Sequence, residues 1–388
     1  MDLSRKKICW VVASPLTIHF FLMGHIAELS KEFELTIITS VDDLNFLKNI
    51  EGNIKVISLP IERNVSVLKD FKNLVQLFFI FRRERYDLIH SLSPKTGLLG
   101  MIAAWLARAP LRVHTFQGEV WITRTGLWRA LLKTLDTIMA RCANHLLVVS
   151  RSEENFLVHE GVVCEGRLKI LANGSICGVD VARFRPDPQA RAQVRTELGI
   201  ADTDRVILYV GRFNVDKGLL DLAQAFVNIS TVYPNTHLLL VGPDEENIRM
   251  RIEQFCGALA YRLHFVGYTA EPELYMAASD FLCLPSYREG FGMVLLEAAA
   301  MGLPTIGSRI YGIRDAIIDG QTGLLFEVGN VEDLTAKLRC LLDDPLLARS
   351  LGNAGKERSL RDFDSHSVTS ALLQYYRELI FSKDSKYS

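Results

Sequence analysis

The chain has 388 residues, 49% of them hydrophobic and 23% charged, with a formal net charge of −1. That length exceeds one ordinary core and favours two domains, and the composition excludes a disordered chain. A near-neutral balance argues against wholesale nucleic-acid binding while leaving room for a local basic patch.

The N-terminal run "RKKICWVVASPLTIHFFLMGHIA" has the basic start and apolar stretch of a signal sequence. Pro15, His19 and His25 interrupt it, and no small-residue cleavage site follows. It reads better as a buried strand, "KKICWVVAS", followed by a helix, "HFFLMGHIAELSKEF". No run of ~18 clean apolar residues occurs, so no membrane span is expected. "ELTIITS", "IKVISLP", "YDLIHSL", "LRVHTF", "NHLLVVS" and "RLKILAN" then read as further apolar strands, separated by helical segments such as 66–84, 95–108 and 126–142. Apolar strands alternating with helices imply a parallel sheet covered on both faces.

Within this half, "EVWITRTGLWRALLKTLDTIMARCAN" joins Trp121 and Trp128 to Arg124, Arg129, Lys133 and Arg141 on an amphipathic helix. Such a helix can lie on an anionic bilayer surface, or it can sit with one face in the core and a solvated basic face. A second basic patch, Arg82, Arg83 and Arg85 in "FFIFRRERYD", suits a helix C-terminus.

The stretch "ANGSICGVDVARFRPDPQARAQV" breaks the rhythm, placing a junction at about 172–203. Strand–helix alternation restarts with "RVILYVG", "HLLLVG", "RLHFVG", "DFLCLPS", "LPTIGS" and "TGLLFEV". The expected fold class is therefore α/β, with two doubly wound Rossmann-like domains, residues 1–172 and 173–365, and a ligand-binding cleft between them. A last helix, about 366–384, is expected to pack back on the first domain. The seven cysteines, Cys9, Cys142, Cys164, Cys177, Cys256, Cys283 and Cys340, are scattered and odd in number. They read as reduced thiols of a cytosolic protein, without a zinc site or disulfide framework.

Two strand-end loops of the second domain carry the chemistry. In "YVGRFNVDKGLLDLAQAF", Arg212 and Lys217 flank a loop that opens a helix. Free N–H groups, the helix dipole and two cations suit a diphosphate, although an exposed loop with solvated cations is the competing reading. In "SYREGFGMVLLEAAAMG", residues 286–302, Glu289 stands at the loop tip beside Gly290, Phe291 and Gly292, and Glu297 sits in apolar company. A carboxylate there needs a partner. Ligand hydroxyls would satisfy it, as would a nearby Arg or backbone N–H. Eight helical residues rise ~12 Å, roughly the span from ribose to hexose in a nucleotide sugar.

These segments, together with "HFVGYTAEPELYMAASDFLCLPSYREGFGMVLLEAAAMGLPTIGS" and "IIDGQTGLLFEVGNVEDL", resemble the family 4 glycosyltransferases of GT-B fold, closely over the second domain and more loosely over the first. The resemblance implies retaining transfer of a hexose or N-acetylhexosamine from an NDP-sugar, with UDP the expected nucleotide. It places Glu289 by the donor sugar, Glu297 on the ribose, Arg212 and Lys217 on the diphosphate, and Gly267 and Tyr268 beside the base. It also implies no metal or other cofactor, since Arg, Lys and the helix N-terminus neutralise the leaving group. The D-x-D runs at 202–204 and 362–364 lie outside any strand-end loop.

The first half departs from the family. "SPLTIHF" stands where many members have a Gly-Gly loop. In "VHTFQGEVW", Gln117 stands where many have a His, and His114, three residues earlier, reads as structural. Gln117 can hydrogen-bond a sugar but cannot act as a base. The pattern "HTFQGEVWITRTG…NGSICGVDVARFRP" is similar to enzymes of bacterial capsule, O-antigen and related surface polysaccharide synthesis. That implies a polyprenyl diphosphate-linked acceptor and peripheral attachment at the inner face of the cell membrane. A non-catalytic nucleotide-sugar-binding subunit and a GT-B-like nucleotide-sugar epimerase are the alternatives.

Overall fold

The computed structural model describes residues 5–40, 54–61 and 66–381. Each run expected as a strand forms one. The strands are β1 (Lys7–Val12), β2 (Glu34–Thr39), β3 (Ile54–Ser58), β4 (Leu88–Leu92), β5 (Leu111–Phe116), β6 (His145–Val148) and β7 (Leu168–Lys169), then β8 (Arg205–Val210), β9 (Thr236–Val241), β10 (Leu263–Val266), β11 (Phe281–Leu284), β12 (Thr305–Ser308) and β13 (Leu324–Phe326). They build a 7-stranded sheet of order β3-β2-β1-β4-β5-β6-β7 and a 6-stranded sheet of order β10-β9-β8-β11-β12-β13. Every pairing is parallel.

Contacts divide the chain into two compact units, one running to Gly178 and including the helix Ser365–Phe381, the other Val179–Asp364. In the first unit, strand alternation sorts apolar residues to two faces. Cys9 and Val11 of β1 join one core with residues of the helices Val67–Glu84, Pro94–Leu106 and Gly126–Cys142. Ile8, Trp10 and Val12 join the other, with residues of Met23–Glu32 and Ser365–Phe381. The run after β1 is less regular than a single helix: a wide π turn, Ile18–Leu22, precedes Met23–Glu32. All seven cysteines are free thiols, with Cys9, Cys256 and Cys283 buried.

The helix at 126–142 corrects one expectation. Trp121 lies ahead of it and is fully buried, its indole Nε1 donating to Asp136 Oδ2 at 2.7 Å and its ring stacked on Phe156. Arg129 and Lys133 sit over that ring and hold Glu160, each at 2.8 Å. These three residues are fastened to the unit. Trp128 is exposed, as are Leu127, Leu131 and Ile138 on the same helix.

Candidate active site

The second sheet reverses its strand order between β8 and β11. Ligands of open α/β sheets bind at such switch points, outside the carboxyl ends of the strands. The two loops with candidate residues leave these two strands. They are knitted together: the Tyr287 amide donates to the Asp216 carbonyl at 2.8 Å, and Arg288 reaches Asp216 at 3.5 Å. Two glycines make the fit possible. Gly218 has φ +65°, and a Cβ there would stand 2.1 Å from the Pro285 carbonyl oxygen. At Gly312, φ +81°, a Cβ would stand 2.4 Å from the Gly290 carbonyl oxygen. Any larger residue would push a strand-end loop away.

Lys217 closes a short 3-10 turn, Val215–Lys217, and its ammonium forms an ion pair with Glu289. Ser286 Oγ donates to the same carboxylate oxygen at 2.8 Å. Both partners of the pair are largely withdrawn from water. Arg212, on the loop leaving β8, points instead to Glu245, with Nη1 2.7 Å from Oε2. The fold thus brings Lys217 and Glu289 into contact and keeps Arg212 on the same loop as Lys217.

The helix Met293–Ala300 follows directly, with Gly292 as its N-cap. Phe291 is buried, edge-on to Phe363 at 5.4 Å. Glu297 is the fifth helical residue. Only four of the eight steps from Glu289 are therefore helical, a rise of ~6 Å instead of ~12 Å, because Gly290–Gly292 is loop. Burial pushes the Glu297 carboxyl up to about 7; the charge of Arg183 pulls it down and that of Glu273 raises it. Gly267 and Tyr268 follow the carboxyl end of β10, the edge strand, with the Tyr268 ring exposed.

Gln117 belongs to the other unit, at the carboxyl end of β5. Its Nε2 is buried without a hydrogen-bond partner among the described residues. Its loop is held from below: Glu153 accepts from the Gly118 amide and, at 3.2 Å, from the Val149 amide. Burial, then the charge of Glu119, raises the Glu153 carboxyl well above its usual range. His114 lies within β5, bonded to Ser91 Oγ at 2.9 Å, and burial depresses it to about 3.

Of the two D-x-D runs, Asp204 stands just before β8, at the amino ends of the strands, bonded to His237 at 3.2 Å. Asp362 pairs with Arg361 and Arg358 at a helix end. Neither run belongs to the loops that carry Lys217 and Glu289. Sequence reasoning missed Arg183, Glu273 and Glu245. Their signal is faint: acids and an arginine in short polar segments whose partners lie far along the chain.

A glycosyl transferases group 1 model matches residues 190–358, and a glycosyl transferase 4-like domain model matches residues 32–174. A UDP-Gal:alpha-D-GlcNAc-diphosphoundecaprenol alpha-1,3-galactosyltransferase of Escherichia coli is 30% identical over 289 residues, 74% of either chain. A capsular polysaccharide biosynthesis glycosyltransferase, CapM, of Staphylococcus aureus is 27% identical over 99% of this chain and 100% of its own. The Anabaena protein HepE, solved with UDP and glucose, superposes with a TM-score of 0.81 at 19% identity, covering 96% of this chain and 100% of its own. Two doubly wound parallel sheets, with strand-end loops meeting at a switch point, define a GT-B architecture. The chain belongs to the family 4 glycosyltransferases of that fold.

Proposed function

We propose that this glycosyltransferase moves a hexose or N-acetylhexosamine from a UDP-sugar to a saccharide carried on polyprenyl diphosphate, retaining the anomeric configuration, in surface polysaccharide synthesis. The observation that carries the donor half is the contact of Lys217 with Glu289 where the β8 and β11 loops meet. An ammonium and a carboxylate held together out of water are a ready site for a diphosphate and a sugar hydroxyl respectively. The diphosphate would replace Glu289 on Lys217 and Glu245 on Arg212, with the N-terminal end of the helix Met293–Ala300 beside it. As the sugar–oxygen bond breaks, charge grows on the leaving phosphate. Fixed cations and N–H groups stabilise that charge without a metal. Glu289, released from Lys217, would accept from the donor sugar, and Glu297 from the ribose. Gly267 and Tyr268 would border the base.

The acceptor half draws on the relatives' names and on the first unit. Gln117, with an unengaged buried amide nitrogen, would bond an acceptor or donor hydroxyl. No helix among the described residues is long and apolar enough to cross a membrane. The exposed residues Leu127, Trp128 and Leu131, with Arg124 beside them, would rest on anionic lipid at the inner membrane face. Leu68, Phe71 and Phe79, also exposed with Lys72 and Arg82 on the helix Val67–Glu84, would add to that contact.

Calorimetry with UDP tests the donor assignment. Glu297→Ala should weaken UDP binding about tenfold or more, the loss of one good hydrogen-bonded partner. Glu289→Ala should spare UDP and damage turnover. The reverse pattern overturns the assignment of the two acids.

A further inference from the structure

The loop after β9, "PDEEN" at 243–247, carries three acids, and the first serves its own element. Asp244 Oδ1 accepts from the Ile248 amide at 2.9 Å and Oδ2 from the Arg249 amide at 3.0 Å, capping the helix Ile248–Cys256. The next two turn back on the loop that leaves β8. Glu245 Oε2 accepts from Arg212 Nη1 at 2.7 Å and from Asn214 Nδ2 at 3.4 Å. Glu246 Oε2 accepts from the Val215 amide at 2.9 Å. A guanidinium, a side-chain amide and a main-chain N–H of residues 212–215 are therefore held by two carboxylates of one neighbouring loop.

Main-chain bonds keep the two loops together without those carboxylates. The Phe213 amide donates to the Pro243 carbonyl at 2.8 Å and the Glu245 amide to the Phe213 carbonyl at 3.0 Å. Tyr209 OH donates to the Arg212 carbonyl at 2.9 Å from below. Backbone thus does the positioning, and the Glu245 and Glu246 side chains add charge to donors already in place. The Arg212 and Glu245 side chains are 37% and 35% exposed, so water screens their attraction and an incoming anion can take one from the other. We propose that Glu245 and Glu246 are a built-in counter-anion of the donor site. They occupy the donors of 212–215 while the site is empty, compete with the diphosphate for them, and so limit the affinity for the donor and for the UDP left after transfer. This rests on the reading of Arg212 as a diphosphate ligand. A diphosphate brings negative charge to the same donors, so each carboxylate must swing away or stay as a like charge beside it, and either course weakens binding. A glutamine keeps the length and one acceptor oxygen of the side chain and removes only the charge.

The test is the UDP dissociation constant of the full chain for the parent, Glu245→Gln, Glu246→Gln, Arg212→Ala, and Arg212→Ala combined with Glu245→Gln. Glu245→Gln should bind UDP about two- to fivefold more tightly, the scale of one exposed ion pair released. Glu246→Gln should also bind it more tightly, and it carries the test if Glu245→Gln fails to fold. Screening should shrink both gains between about 20 mM and about 300 mM salt. In the Arg212→Ala background Glu245→Gln should gain less than in the parent, since its partner is gone. Unchanged or weaker UDP binding in either glutamine variant, or an equal gain with and without Arg212, overturns the inference and leaves the donor reading standing. Failure of the parent to bind UDP, or parent-like affinity and turnover in Arg212→Ala, overturns the donor reading and this inference with it.

Discussion

At the scale of residues, the site is written in charges that are occupied by one another. Lys217 holds Glu289, Arg212 holds Glu245, and each would exchange that partner for an oxygen of the donor. Lys217→Ala and Arg212→Ala should therefore lower turnover more than nucleotide affinity, each by about 3 kcal/mol of transition-state stabilisation, the scale of one lost oxyanion donor. Steady-state kinetics beside UDP titration separates the two effects. Activity should survive EDTA; full loss restored by manganese or magnesium would contradict the metal-free proposal. Glu289 and Glu297 were legible as candidates because one loop and helix of under twenty residues carry both acids, and Lys217 because it stands where a strand-end loop opens a helix. Arg183 was not, since its turn joins Glu273, 90 residues on, only through the folded sheet.

At the scale of elements, the strands were legible because a strand buried on both faces is apolar throughout, as the fully buried β11 shows. The amphipathic pattern at 126–142 was legible too, but not which apolar face meets the core. Trp121 and Trp128 look alike in sequence; only packing separates the buried indole from the exposed one. Trp128→Glu combined with Leu131→Glu should abolish sedimentation with anionic vesicles while leaving the fold intact, since both side chains are exposed. Unchanged vesicle binding would rule this helix out as the anchor. The closing helix, Ser365–Phe381, depends on long-range polar bonds. Tyr376 OH accepts from Trp10 Nε1 at 2.9 Å and bonds His90, whose other nitrogen is 2.7 Å from Thr115 Oγ1. Tyr376→Phe leaves two buried groups unsatisfied and should cost about 3 kcal/mol, read as a fall in midpoint on denaturant unfolding.

At the scale of the molecule, buried imidazoles set how the first unit responds to acid. Burial depresses His90 and His114 of the first unit to about 3. The unfolded imidazoles charge near 6.5, so the unfolded chain binds more protons between those values and stability falls as pH drops below about 6.5. By pH 5 each should have lost about 2 kcal/mol, seen as a lower Tm between pH 7.5 and pH 5. The proposed function would draw on both units: the second with the candidate donor loops, the first with Gln117 and the exposed Trp128. The most direct measurement is acceptor-dependent release of UDP from a UDP-sugar panel, with and without a polyprenyl diphosphate-linked saccharide, analysing the saccharide formed by NMR. One donor should release UDP only when the acceptor is present, and the new linkage should keep the donor's anomeric configuration. Equal release without acceptor, an inverted linkage, or binding without any release would contradict the account.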